Sequence, residues 1–249
     1  MAESMEDLQF LIDRVTRECS NNGLSINTSK TKMLVVSKRD VGHTQLIVNN
    51  EPITKVKHFK YLGCWINDKL DPDEEIKTRI QLARGTFVRL KSILCNPQLN
   101  LHLRIKFLKC YVYPVLLYGC ETWIMKVNMM NRLEALEMWC YRRMLKISWV
   151  QRISNMEVLN RIGQEEGELT KTIKKRKLEY LGHIVRGNRY SILQLILNGK
   201  IEGKRGIGRK KYSWLRNLRQ WTGLSADELL HAAQDRERYR QIVMEATNA

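Results

Sequence analysis

Three kinds of residue group in this 249-residue chain have the types and spacing to do chemistry on phosphates. The string Gly23-Leu24-Ser25-Ile26-Asn27-Thr28-Ser29-Lys30-Thr31-Lys32-Met33 sets two lysines around a threonine, just after a glycine stop and before an apolar stretch. That order places cations at the mouth of a turn, where a phosphate could be met; an ordinary surface turn has the same composition. The string His58-Phe59-Lys60-Tyr61-Leu62-Gly63 alternates rings and cations and ends in a glycine. Rings offer faces to sugars or bases, and glycine lets the backbone approach a ligand; a plain hairpin edge would read alike. The third group is basic. Lys174, Lys175, Arg176 and Lys177 run together, and Lys204, Arg205, Arg209, Lys210 and Lys211 lie among glycines ahead of Trp214. A glycine-rich basic segment can follow a phosphate backbone, and Tyr212 or Trp214 could stack on a base.

Other constellations are weaker. Asp71, Asp73, Glu74 and Glu75 crowd one site, but acidic residues at a helix start are explained by the helix dipole. His183 sits among Leu178, Leu181, Ile184 and Val185 with no serine, cysteine or carboxylate spaced to work with it. It reads as a packed or surface histidine. Trp123, Trp139 and Trp149 fall among apolar helical positions and read as core. The six cysteines, at 19, 64, 95, 110, 120 and 140, form no Cys-x-x-Cys pair and read as reduced thiols.

Charge supports a polyanionic partner. The chain carries +17 overall. Residues 1–75 hold 10 Lys and Arg against 12 Asp and Glu, whereas residues 76–249 hold 33 against 14. Within 171–219 there are 15 basic and 2 acidic residues. Each neutralised phosphate releases condensed counterions, so such asymmetry favours nucleic acid over a merely solvated face. An anionic membrane surface fits charge alone, but no run of about 18 apolar residues offers a span. The N-terminus opens acidic, with Glu3, Glu6 and Asp7, which is not a secretory pattern, and an intracellular setting (nucleus or cytoplasm) is expected.

These groups require elements to hold them. Ser4, with Asp7 in a capping-box position, starts a helix whose apolar positions are Met5, Leu8, Leu11, Ile12, Val15 and Cys19, and Gly23 stops it. Strands are expected at 32–36, 46–49, 53–56 and 61–66, with Asn49-Asn50 as a positive-φ hairpin turn and no evident partner for the first strand. From Asp71 onward the periodicity is helical: one face of Ile76, Ile80, Ala83, Phe87, Leu90 and Leu94, then helices over 99–118 with a kink at Pro114, 128–147, 154–162, 168–187, 190–198, 212–221 and 226–245. A basic loop is expected over 199–211. The fold class is therefore α+β, mostly α: a small β-hairpin piece too small to stand comfortably alone, followed by helices.

In this order the strings resemble the end of the palm, the thumb and the C-terminal region of reverse transcriptases of non-LTR (LINE-type) retrotransposons. The Gly23–Met33 string is similar to that family's lysine-bearing motif beside the active site, and Phe59, Lys60, Tyr61, Leu62 and Gly63 to its primer grip. Tyr113-Pro114-Val115-Leu116-Leu117-Tyr118-Gly119-Cys120-Glu121-Thr122-Trp123 resembles its thumb string. Leu181-Gly182-His183-Ile184-Val185-Arg186 and Gly206-Ile207-Gly208-Arg209-Lys210-Lys211 with Trp214 resemble its C-terminal strings.

The resemblance implies a palm remnant over 1–67, a helical thumb over 68–150 and a basic helical region over 151–249. It implies an RNA and DNA template-primer as partner, held mainly by the backbone. Lys30 or Lys32 would be the general acid of an intact enzyme, and magnesium the parent enzyme's cofactor. The family's Tyr/Phe-Ala-Asp-Asp motif precedes the helix that begins here at Ser4, where Met1-Ala2-Glu3 stands instead. Two magnesium ions need converging carboxylates, so no catalytic residue, metal site or cofactor is expected in this chain, and polymerase activity is not expected of it in isolation. The missing upstream polymerase portion is a further candidate partner. The alternative is a helical protein-interaction module with no nucleic-acid role.

Overall fold

The structure, a computed structural model, describes residues 2–37, 45–199 and 213–248. They form an α+β arrangement that is mostly α, divided into two compact units, Met1–Glu75 and Ile76–Ala249.

The first unit comprises α1 (Met5–Asn21), β1 (Lys32–Leu34), β2 (Leu46–Val48), β3 (Glu51–Val56), β4 (His58–Tyr61) and β5 (Cys64–Asn67). Ser4 caps α1 by accepting from the Asp7 N–H at 3.0 Å. Met5, Leu8 and Ile12 lay one stripe of α1 against Met33, Leu46, Val48 and Ile53. Two further positions of the expected apolar face stay uncovered: Leu11 is 39% and Val15 50% exposed. Asn49 and Asn50 both take positive φ, 51° and 62°, and β2 and β3 pair antiparallel across them. β1 does have a partner: it runs parallel to β3, Lys32 opposite Thr54 and Leu34 opposite Val56, giving the order β1-β3-β2. A parallel pairing joins strands distant in sequence, which turn signals do not reveal. Gln9 on α1 finishes the edge of β2, donating to the Ile47 carbonyl (2.8 Å) and accepting from its N–H (3.0 Å).

The single strand expected over 61–66 is instead a hairpin. β4 and β5 pair antiparallel from His58–Asn67 to Tyr61–Cys64, around a turn with φ of 46° at Leu62 and 87° at Gly63. The run of apolar and aromatic residues hid the turn, because leucine rarely takes a left-handed conformation.

The second unit takes most of α2 (Asp73–Arg89) and contains α3 (Lys91–Leu94), α4 (Leu101–Phe107), α5 (Tyr113–Leu116), α6 (Val127–Met144), α7 (Asn155–Ile162), α8 (Glu168–Arg186), α9 (Ser191–Leu197), α10 (Trp214–Thr222), α11 (Ala226–Ala232) and α12 (Arg236–Asn248). The helix expected over 99–118 is broken by a π-turn at Leu108–Val112, just before Pro114, whose missing N–H and ring disrupt regular bonding. The helix expected over 226–245 is two helices. The Asp235 carboxylate accepts from the N–H groups of Glu237 and Arg238 and starts α12 anew.

Two cores hold this unit. One runs from Ile76 on α2 through α6 to Ile173, and the other joins Leu178 and Leu181 to Leu218, Leu229, Tyr239 and Val243. α8 serves both. Arg104, buried, donates to the carbonyls of Met144 (2.7 Å) and Leu99 (3.1 Å), satisfying the C-terminal end of α6. Glu137 does the same at the start of α8: its Oε1 accepts from the N–H groups of Glu168 and Leu169 (3.0 and 3.2 Å) and from the hydroxyls of Tyr113 and Tyr141 (2.9 and 3.1 Å). Burial pushes the Glu137 carboxyl above its usual range, and those four donors pull it back.

Candidate nucleic-acid interface

The β4–β5 hairpin presents the Phe59–Gly63 string at its turn. Lys60 is exposed, Tyr61 is 57% and Leu62 76% exposed, and Phe59 is half-buried. The tight two-residue turn follows directly on β4, so Lys60 and Tyr61 stand at the end of a paired strand. His58 packs edge-on to Trp65 across the strands, at 5.6 Å between centroids. The earlier string is organised by Asn27. Its side-chain oxygen accepts from the Lys30 N–H (3.0 Å) and the Ser29 hydroxyl (2.7 Å), and its carbonyl from the Thr31 hydroxyl (2.8 Å). Lys30 stands on this turn and Lys32 on β1, both exposed.

On α8 the basic run separates by face. Lys174 is half-buried and Lys175 exposed, the latter 4.0 Å from Glu179. Arg176 donates to the Leu117 carbonyl at 3.1 Å. Lys177 departs from the expected surface cation and is fully buried. Its Nζ donates to the Trp123 carbonyl (2.5 Å) and to Asn217 Oδ1 (3.0 Å), with the rings of Trp221 and Trp214 at 5.2 and 5.4 Å. Burial pushes its ammonium down to about 7, with Cys120 the nearby group opposing the shift. Asn217 also clamps the Met125 backbone, accepting from its N–H and donating to its carbonyl, each at 2.8 Å. This lysine ties α8 to α10 and to the strand-like stretch after Thr122, and it does not face solvent. The signal was its register: Leu169, Ile173, Lys177 and Leu181 recur every four residues, all buried. Glu137 sits the same way between Leu133 and Tyr141.

Trp214 is also turned inward. Its ring N–H donates to the Glu121 carbonyl at 2.6 Å and its ring meets Tyr180 edge-on at 6.2 Å. Lys204, Arg205, Arg209, Lys210 and Lys211, with the loop expected around them, lie outside the described residues.

Several acidic side chains are engaged locally. Asp7 takes the Ser4 hydroxyl, Asp13 takes Gln9 Nε2, Asp71 accepts from the Asp73 N–H, and Glu75 accepts from the Trp65 N–H at 2.7 Å. Among the described residues no three Asp, Glu, His or Cys side chains converge to hold a metal ion. No helix among them is long and apolar enough to cross a membrane.

No family model matches the chain, and no solved structure matches it. Two relatives do. The chain is 26% identical over 219 residues to an uncharacterized transposon-derived protein of Caenorhabditis elegans, covering 84% of this chain and 77% of that one. It is 27% identical over 153 residues to the RNA-directed DNA polymerase from mobile element jockey of Drosophila melanogaster, covering 60% of this chain and 17% of the polymerase. The likenesses support a retrotransposon-related origin. The chain thus spans about three quarters of the first relative and less than a fifth of the second.

Proposed function

We propose that this chain handles nucleic acid for a retrotransposon-type RNA-directed DNA polymerase, gripping an RNA and DNA template-primer without supplying the catalytic carboxylates. The observation that carries the proposal is the β4–β5 hairpin: a tight turn offering an exposed cation and ring, Lys60 and Tyr61, in a chain similar to such a polymerase. A lysine on a phosphate and a tyrosine against a sugar or base would steady a primer end. In this reading residues 1–67 are the palm edge, 68–150 the thumb and 151–249 a basic extension whose surface lysines follow the phosphate backbone. The contacts are mainly to backbone and shape, so RNA–DNA hybrid or structured RNA competes at least as well as random duplex DNA. Lys30 or Lys32 would protonate the leaving pyrophosphate only beside a metal-bearing palm supplied by another segment or chain. Such a protein works in the nucleus or cytoplasm.

The test pairs binding with chemistry on the purified chain. Fluorescence anisotropy with a labelled RNA–DNA hybrid at moderate salt is expected to show binding, weakened by Lys60→Ala together with Tyr61→Ala. Primer extension with magnesium or manganese is expected to match a heat-killed control. Absence of binding overturns the proposal in favour of a protein-interaction module. Extension abolished by changing Asp7, Asp13 or the Asp71–Glu75 carboxylates overturns the non-catalytic assignment.

A further inference from the structure

We propose that the cleft at the C-terminal end of α8, lined by Tyr180, His183, Arg186, Gly187, Arg189 and Tyr190, takes one nucleotide of single-stranded RNA or DNA, with its base against the tyrosines and its phosphate on the cations. The inference rests on the nucleic-acid reading above and gives it a second, separate site. The cleft has a volume of about 380 Å³, a scale suited to a nucleotide-sized group. Its lining combines two rings, two guanidiniums and an imidazole with no carboxylate. His183, Arg186 and Arg189 are exposed, and Tyr180 and Tyr190 are half-buried.

The parts are held in place. Trp214 packs edge-on against Tyr180 at 6.2 Å. Burial raises the Tyr180 hydroxyl above the usual tyrosine range, so it stays a neutral donor. Arg186 is anchored by donating to the Ala233 carbonyl and lies 5.9 Å from the Tyr239 ring centroid. The Arg189 guanidinium lies 5.1 Å from the Tyr190 centroid, so a cation and a flat ring are presented together. Gly187 permits this. A Cβ there would come within 2.6 Å of the Tyr190 ring and 2.8 Å of the His183 carbonyl.

A helix C-terminus ordinarily repels phosphate, because its last carbonyls are bare and negative. Here two of them, those of Ile184 and Val185, are engaged. The two N–H groups of Gln194 Nε2 are shared among the carbonyls of Ile184 (2.7 Å), Gly187 (3.1 Å) and Val185 (3.2 Å). The end of α8 thereby presents side-chain cations with part of its backbone charge offset. Stacking on a ring or guanidinium plane tolerates every base, so the site discriminates single strands from duplex and not one sequence from another.

The experiment uses the full chain and a short fluorescein-labelled oligouridylate, read by anisotropy across a salt series, together with photocrosslinking of the same strand carrying 4-thiouridine. Tyr190→Ala is expected to weaken binding roughly 5- to 150-fold with an unchanged salt slope, the signature of lost stacking. Tyr190→Phe is expected to retain affinity. Arg189→Ala is expected to flatten the log–log salt slope by about 0.7, one lost phosphate contact on a single strand. Crosslinks are expected within 180–190. Circular dichroism and the thermal midpoint establish that each variant folds; should Tyr190→Ala unfold, Arg189→Ala and the crosslink map decide. If the unaltered chain binds neither this strand nor the hybrid, the nucleic-acid reading itself falls. If it binds while Arg189→Ala matches it in affinity and slope and crosslinks lie elsewhere, this cleft alone is overturned. Displacement of the strand by an acidic peptide, with no crosslink in 180–190, overturns it too.

Discussion

Lys177 and Glu137 are charges built into apolar stripes, and each is held by donors or acceptors that an apolar substitute would strand. For Lys177 the consequence is a pH dependence whose sign follows from linkage. Its folded value is about 7 against an ordinary 10.5, so between those values the unfolded chain binds the extra proton and stability rises with pH. Burial raises the thiols of Cys120 and Cys140 to about 11 and about 12, and the Tyr113 and Tyr141 hydroxyls rise as well. These groups keep their protons in the fold, so stability falls again above about pH 9. The urea midpoint of the unaltered chain is therefore expected to climb from about pH 7 to about pH 9, and Lys177→Met to lose most of that climb. An identical pH profile in the variant would mean that Lys177 titrates normally. Gly167 gives a second residue-scale test. A Cβ there would stand 2.6 Å from Glu137 Oε2, and the carboxylate cannot retreat without releasing the N-terminal N–H groups of α8. Gly167→Ala is expected to cost about 1–3 kcal/mol in urea unfolding; a neutral result would show that the carboxylate has room to shift.

Among the elements, the β4–β5 hairpin carries a measurable strain. Leu62 sits at φ 46°, a conformation costing an L-residue roughly 1–2 kcal/mol, and with 76% exposure it gains little from packing. Asparagine tolerates that conformation. Leu62→Asn is therefore expected to stabilise the chain by about 0.5–1 kcal/mol, seen as a raised thermal midpoint. A lowered midpoint would mean that the leucine side chain makes a contact the turn depends on. The helix breaks follow the same local logic: Pro114 removes a donor and a π-turn precedes it, and Asp235 supplies a new cap where one long helix was expected. Both signals were present as residue types, but their effect on boundaries depends on which carbonyls and N–H groups are already satisfied.

Over the whole molecule, the proposed nucleic-acid role with a charge of +17 implies salt-dependent binding, in which the location of each cation sets its share. Lys174 and Lys175 reach the surface of α8, so replacing both with alanine is expected to flatten the log–log salt slope of hybrid binding by about 1.4–1.8. Replacing Lys204, Arg205, Arg209, Lys210 and Lys211 together is expected to flatten it by roughly 3–5. Lys177→Met, buried as it is, should change stability and leave the slope alone. Anisotropy titrations across a salt series separate the three; an unchanged slope in the first two would put the binding surface elsewhere.

Residue order alone determined the Ser4 cap, the Asn49-Asn50 turn, the helical run after Asp71 and the basic surplus, because caps, turns and periodicity are local and charge is additive. The parallel pairing of β1 with β3, the inward turn of Lys177 and Trp214, and the assembly of Tyr180, Arg186, Arg189 and Tyr190 around one cleft were decided only by tertiary structure. A lysine in a basic run and a lysine in an apolar stripe have the same composition. What separates them is whether Asn217 and the Trp123 carbonyl, 40 and 54 residues away, arrive to accept its protons.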